Sequence, residues 1–412
     1  MHKMRDLHLK MDVTHLKKHA FLAMNSGRFV LTQILDLVHR QTLDRLVTRY
    51  DAESRVKHFG CRQQLICMAF AQLTWREGLR DIAECLNARP GTRYHLGFCE
   101  PIAKSTLADA NEQRDWRLWE DLAKSLMRKA RPLYAGEDLG LEIENTVYAL
   151  DSTTVDLSLT LFPWADFRKT KAGIKMHTQI DLRGPIPTCI FISEARQHDV
   201  RWLDDLLFEP GAFYVLDRGY MDFARLDLIV RAGAFFVTRA KDNLRFSRQR
   251  SLPVDYASGV RSDQIGKPTL TKARSDFPSL LRKVRYYDEE NGRDFVFLTN
   301  NLSIPALTVA KLYRLRWRIE MFFRWIKGHL RIKHYYGTSP NAVKTQIWIA
   351  VSVYLMVAIL HKRLELPGGL HRTLQLLSVH PFEKVPIHEL LTEPDSRTLE
   401  PLDSNQLTLW NL

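Results

Sequence analysis

Residues 313 to 327 read Tyr-Arg-Leu-Arg-Trp-Arg-Ile-Glu-Met-Phe-Phe-Arg-Trp-Ile-Lys. On a helix advancing about 100° per residue, Tyr313, Arg316, Glu320 and Lys327 fall at roughly 0°, −60°, −20° and −40°, along one face. Leu315, Ile319, Phe322 and Ile326 fall at roughly 200°, 240°, 180° and 220°, on the opposite face. The apolar face packs on a core. The other sets one carboxylate among a phenol, a guanidinium and an ammonium, with Arg324 and Trp317 beside them. This stretch alone leaves two readings of Glu320 open. Either it pairs with Arg316 or Arg324 at i,i+4, as on any amphipathic surface helix, or it belongs to a site that holds a metal ion and a polyanion together.

The rest of the chain weighs between them. It has 412 residues, 45% of them hydrophobic, and no low-complexity tract. That composition describes a globular protein of roughly two to three domains. Sixty Lys and Arg against 47 Asp and Glu give a formal net charge of +13, which suits nucleic acid or an anionic membrane surface. The longest apolar run, Ile347 to Leu360, is short for a membrane span and reads as a buried helix. The five cysteines, Cys61, Cys67, Cys85, Cys99 and Cys189, fit neither a zinc site nor a disulfide framework, so reduced thiols in a cytoplasmic protein are expected. No signal peptide is evident. Residues 1–23 read as a basic arm, either unstructured or lying upstream of a start at Met24.

Residues 24–140 read as an all-α N-terminal domain, because Phe29, Ile34, Leu35 and Val38, then Leu65, Met68, Ala69 and Leu73, then Leu118, Leu122, Leu126 and Met127 recur at helical spacing. A short helix at 79–86 and another capped by Ser105 resemble a helix-turn-helix DNA reader. Their connection is longer than the usual turn of about three to four residues, and a plain helical packing domain explains them as well. From residue 141 the pattern turns α/β. Strands are predicted at 147–151, 177–181, 188–192, 213–217 and 234–238, with short helices at 202–208 and 222–232. A β-rich insertion at about 241–303 precedes a helix over 305–329. A buried helix at 341–364 completes this domain, and 365–412 read as a polar tail.

Asp151 is predicted to close the first strand and Asp217 the fourth, while Glu320 lies on the later helix. Strand ends at one edge of a sheet gather side chains from distant parts of the chain, and a helix packed there adds Glu320. Three converging carboxylates suit two divalent ions about 3.5–4 Å apart, which activate the attacking oxygen of a phosphodiester reaction and stabilise the leaving one. Hard oxygen ligands favour Mg²⁺ or Mn²⁺. The alternative for either aspartate is a turn or cap acid. The basic stretch Arg168, Lys169, Lys171 and Lys175 offers phosphate contacts by charge, or is a solvated loop. His177 and His198 read as structural histidines rather than ligands. His334-Tyr335-Tyr336-Gly337 is either a DNA contact or a helix-end turn.

These residues resemble the DDE transposases of the bacterial insertion-sequence class with a Tyr-Arg-Glu-Lys signature. That signature reads Y-x2-R-x3-E-x6-K, and Tyr313, Arg316, Glu320 and Lys327 match it in type and spacing. Leu150-Asp151-Ser152-Thr153-Thr154 is similar to the family's first acidic motif, and Asp217-Arg218-Gly219-Tyr220 to its second. The resemblance spans roughly residues 145 to 350. It implies an RNase H-like core in which Asp151, Asp217 and Glu320 bind two Mg²⁺ or Mn²⁺ ions. It places Tyr313, Arg316 and Lys327 on double-stranded DNA at the element's ends, and Arg324, beside them on the helix, is a further candidate DNA contact. It further implies hydrolysis at the 3′ end of each element strand, attack of the freed 3′-OH on another strand, and a homodimer that pairs two inverted repeats. Relatives stack a flipped base on an aromatic of the insertion; this insertion has no Trp, so Phe246 or Tyr256 would serve. A metal-dependent nuclease without strand transfer, and a DNA-binding protein without catalysis, are the competing readings.

Overall fold

The computed structural model describes residues 27–168, 171–329 and 335–392. The basic arm therefore lies outside the described residues, as do Lys169 and His334.

Seven helices open the described chain: α1 (Val30–Leu35), α2 (Arg40–Arg49), α3 (Cys61–Leu73), α4 (Leu79–Asn87), α5 (Pro90–His95), α6 (Lys104–Gln113) and α7 (Arg117–Tyr134). α5 occupies the expected long turn between the two short helices. Ser105 caps nothing: α6 starts one residue earlier, after Ala103, and has no side-chain cap.

Ten strands then form one sheet: β1 (Val147–Leu157), β2 (Asp166–Arg168), β3 (Lys171–Asp181), β4 (Ile186–Glu194), β5 (Phe213–Leu216), β6 (Phe235–Arg239), β7 (Phe246–Ser251), β8 (Val260–Pro268), β9 (Leu281–Asp288) and β10 (Arg293–Thr299). β1 pairs antiparallel with β3, and β3 with β4. β5 lies parallel to β1 on its other side, and β6 parallel to β5. The helix α8 (Phe223–Arg231) connects β5 to β6, with Asp222 accepting from the Arg225 N–H as its N-cap. The helix expected at 202–208 is instead a 3-10 turn at Asp199–Asp204. Trp202 and Leu203 bury it, while Leu207 stands 95% exposed. β10 pairs antiparallel with β6, so the insertion, which also holds α9 (Thr271–Asp276), continues the core sheet.

Two helices, α10 (Ala306–Leu315) and α11 (Trp317–His329), replace the single helix expected over 305–329. Arg316 stands between them, still in right-handed helical backbone. The bonds Arg316 N–H to Tyr313 O and Ile319 N–H to Arg316 O tighten the join to i→i−3. The common face read from the sequence survives, because such a turn alters the rotation per residue only slightly.

α12 (Pro340–Arg363) is long and apolar enough to cross a membrane by composition, yet 94% of its most apolar window is buried inside the protein. It packs on α3, α6 and α7 as well as on β4. Asn341 Nδ2 donates to the carbonyls of Asn111 and Arg114, and the Tyr134 hydroxyl to Ala358 O. Gly184, in the β3–β4 turn, lets the Tyr134 ring lie against that turn: a Cβ there would stand 2.4 Å from the ring. The helical region and the sheet thus share one core.

The expected tail is folded where it is described. α13 (Leu370–Val379) and α14 (Ile387–Leu391) return to the start of the chain. Val30 and Leu31 N–H donate to Glu383 and Pro381 carbonyls, Gln33 Nε2 donates to Val385 O, and Phe382 stacks on Phe70.

Candidate functional site

β1 runs six residues past Asp151, so that acid lies within the strand and not at its end. The β-branched and hydroxyl residues after it (Ser152, Thr153, Thr154, Val155) extend the pairing with β3. Asp217 does follow its strand, β5, directly. It immediately precedes the 3-10 turn Arg218–Tyr220, without a side-chain cap bond to it. β1 and β5 are parallel neighbours with Leu150 opposite Leu216, so Asp151 and Asp217 leave adjacent strands at the same level.

α10 and α11 bring in the rest. Arg316 Nη1 donates to Asp151 Oδ2 at 2.9 Å, and Nη2 donates to the Glu320 carboxylate. One guanidinium therefore lies between two of the three acids. The third, Asp217, accepts from the Tyr313 hydroxyl at 3.2 Å, and Arg316 lies over the Tyr313 ring at 5.6 Å. Lys327 Nζ donates to Thr154 O at 2.6 Å and docks α11 on β1. The five residues Asp151, Asp217, Tyr313, Arg316 and Glu320 are brought together. Arg324 points outward and stacks over Trp317 at 5.6 Å, an indole that is 52% exposed.

Burial pushes the Asp151 carboxyl up to about 6; Arg316 and the Ser152 N–H oppose this, and the charges of Asp217 and Glu320 add to it. Burial likewise pushes the Tyr313 phenol up to about 12. A buried Asp151 carboxylate in the field of Asp217 and Glu320 would be favoured by added positive charge. Among the described residues, no three His, Cys, Asp or Glu side chains stand close enough to cage an ion by themselves. The donors themselves, carboxylate oxygens without thiol or imidazole, fit a hard divalent ion. The Arg316 guanidinium holds the position between Asp151 and Glu320 that such an ion would compete for.

Lys175 lies elsewhere than expected. It is largely enclosed, donating to Gln197 O at 2.9 Å and pairing with Asp199 at 3.0 Å, a geometry that gives no support to a phosphate contact. His177 is fully buried and shares a hydrogen bond with Ser193 Oγ at 2.9 Å. His198 is exposed. Phe246 packs under Lys283, whereas Tyr256 is 64% exposed. Tyr336 donates its hydroxyl to Arg76 O at 2.7 Å, which spends it on packing. Sequence reasoning missed Asp199: it lies in an aperiodic segment, and its only signal is the polar run Arg196-Gln-His-Asp after a predicted strand.

A mixed sheet in which three antiparallel strands are followed by two parallel ones, with acids on the two central strands and a helix bearing a third acid, defines an RNase H-like polynucleotide-processing core. Residues 143–356 match the family described as Transposase DDE domain, and the chain belongs to it: the protein is a DNA transposase of the DDE class, a divalent-metal-dependent enzyme that binds DNA. Residues 26–99 match a domain described as being of unknown function. Among proteins named as transposases, one from Sinorhizobium fredii is 33% identical over 281 residues, covering 66% of this chain and 76% of that protein. The transposase named for insertion sequence element IS5377 of Geobacillus stearothermophilus is 30% identical over 219 residues, covering 53% of this chain and 57% of its own. A solved structure of a piggyBac transposase synaptic complex with hairpin DNA aligns over 90% of this chain and 84% of its own, with a TM-score of 0.43 and 11% identity.

Proposed function

We propose that the protein cuts DNA at the inverted-repeat ends of an insertion sequence and joins the freed ends to a target. Asp151, Asp217 and Glu320 are the ligands of two Mg²⁺ ions in this reading. When bound, the ions supply an activated attacking oxygen and a stabilised leaving oxygen. In the first step water attacks phosphorus, the bond to the 3′ oxygen breaks, and the element strand is left with a 3′-OH. In the second that 3′-OH attacks a target phosphodiester; a new P–O bond forms and the target's own 3′ oxygen leaves.

The protein's residues orient these steps. Arg316 presents a planar fork suited to phosphate oxygens, and an end phosphate that draws it away would release Asp151 and Glu320 together. Tyr313, seated on Asp217, reaches the terminal nucleotides. Lys327 fixes the height of α11 against β1, and Arg324 offers an exposed backbone contact. Two copies hold two ends in the reacting complex.

What supports this reading above all is one contact set: Arg316 and Tyr313, from one helical arm, tie together three acids drawn from positions 151, 217 and 320. The test is a labelled duplex carrying the sequence that flanks the gene, incubated with protein and Mg²⁺ and mapped on a denaturing gel. Metal-dependent nicks at the element's 3′ ends and joining of those ends to a second duplex are expected. Glu320→Gln should bind the ends but lose both reactions. Normal cleavage by that variant would sink the assignment of the acids, and cleavage without joining would reduce the enzyme to a nuclease.

A further inference from the structure

A fourth carboxylate stands behind the site. Asp199 opens the 3-10 turn whose Trp202 and Leu203 are buried in the same apolar cluster as Leu150 and Leu216, the residues preceding Asp151 and Asp217. Its Oδ1 accepts from Ser152 Oγ at 2.6 Å and pairs with Lys175 Nζ at 3.0 Å. The buried His177 Nδ1, which has no hydrogen-bond partner among the described residues, faces the same oxygen at 3.8 Å. Ser152 lies opposite His177 across the β1–β3 pair, and Thr154 opposite Lys175. Strand alternation therefore puts Ser152, His177 and Lys175 on one face and Asp151 on the other. The two faces are linked at Ser152: its backbone N–H donates to Asp151 Oδ1 at 2.8 Å while its hydroxyl donates to Asp199. The hydroxyl of the buried Tyr220 lies beside Ser152, within the field of Asp151, Asp199 and Asp217.

We propose that Asp199 is a positioning residue for Asp151, holding Ser152 so that its N–H fixes the orientation of the catalytic carboxylate. The proposal rests on the reading of Asp151 as a metal-binding acid. The physical reason is that a ligand carboxylate must present its oxygens in one orientation before the ion arrives. The strand itself leaves the Asp151 side-chain torsions free; the β1–β3 pairing holds the Ser152 backbone, and the Asp199 bond adds a restraint on the Ser152 side chain that keeps its N–H aimed at Asp151. Asp199 holds it from an element buried independently of α10 and α11, so the orientation persists when Arg316 is drawn away. Loss of such an outer partner typically costs about 10–100-fold in metal affinity.

The experiment measures Mn²⁺ binding by electron paramagnetic resonance on the full-length protein bound to a duplex of the element's end. It compares wild type with Asp199→Ala, Asp199→Asn, Ser152→Ala and the Asp199→Ala/Ser152→Ala double variant, with duplex affinity and melting temperature measured alongside. Asp199→Ala is expected to raise the half-saturating Mn²⁺ concentration about 10-fold at unchanged duplex affinity. Asp199→Asn, which keeps an acceptor for Ser152, should recover most of that loss. Ser152→Ala should reproduce Asp199→Ala, and the double variant should be no worse than either. Wild-type Mn²⁺ binding by Asp199→Ala, or additive losses in the double variant, would overturn the proposal. If Asp199→Ala does not fold, Ser152→Ala decides: an unchanged Mn²⁺ curve refutes the coupling, and a raised one with near-normal Asp199→Asn supports it. Asp217→Asn serves as a control. A wild-type curve for that control would remove the metal site itself, and the role of Asp199 with it.

Discussion

His177 sits across the sheet from Ser152 with its ring fully enclosed. Burial pulls its pKa from 6.5 down to about 4; Asp199 opposes this and Lys175 adds to it. The unfolded chain takes up a proton on this ring below about pH 6.5, and the folded protein does so only below about pH 4. Stability therefore falls as pH drops through that window. Between pH 7 and pH 5 the ring alone should cost about 2 kcal/mol. Urea denaturation at the two pH values should show a smaller decline for His177→Gln; an equal decline in both proteins would put the buried neutral ring in error. At this scale the sequence was unevenly informative. Asp217 was legible because Asp-Arg-Gly-Tyr follows a short apolar run, and Glu320 because its spacing to Tyr313 and Arg316 survives a change of pitch. Lys175 reads from the sequence only as a charge, because charge alone does not reveal that Gln197 O and Asp199 enclose it. Asp199 belongs to a turn without periodicity, and only the folded chain sets it beside Ser152.

The elements tell a similar story with a different cause. β1 continues beyond Asp151 because β3 offers it a long partner, a fact of pairing that no local pattern contains. β7 was hidden because its side chains are nearly all exposed, leaving no alternation to read. Joined through β9 and β10, the insertion strands also reach α10. Arg282 is 3% exposed and forms a bidentate pair with Asp263, and its Nη1 donates to Ile304 O, just before α10 begins. Asp263→Ala would leave that guanidinium buried and unpaired, at a cost of about 3–5 kcal/mol. An apolar replacement of both partners should cost much less. Denaturation midpoints of the single and double variants make the comparison, and near-equal losses would mean that the pair contributes shape alone.

For the whole molecule, charge and architecture act together. A formal charge of +13 and an exposed Arg324 predict DNA binding that weakens steeply with salt. Arg324→Ala should flatten the log–log salt slope by about one while leaving sequence preference intact. Filter binding across a salt series measures both, and an unchanged slope would remove Arg324 from the interface. The sequence announces an α/β core after a helical region, and one buried core runs across the expected boundary near residue 140. α12 was legible as a buried helix. Its partners were not, because a helix apolar on every side carries no directional signal. The return of residues 381–387 to Val30, Leu31 and Gln33 was hidden for another reason: the returning segment makes these hydrogen bonds through its backbone, which no side-chain pattern encodes. That closure has a consequence for synthesis. A nascent chain cannot complete its first helical region until the ribosome has passed codon 387. A message cut short anywhere before that point yields products whose opening segment stays unsealed, with Phe29 and Phe70 exposed to proteases and chaperones.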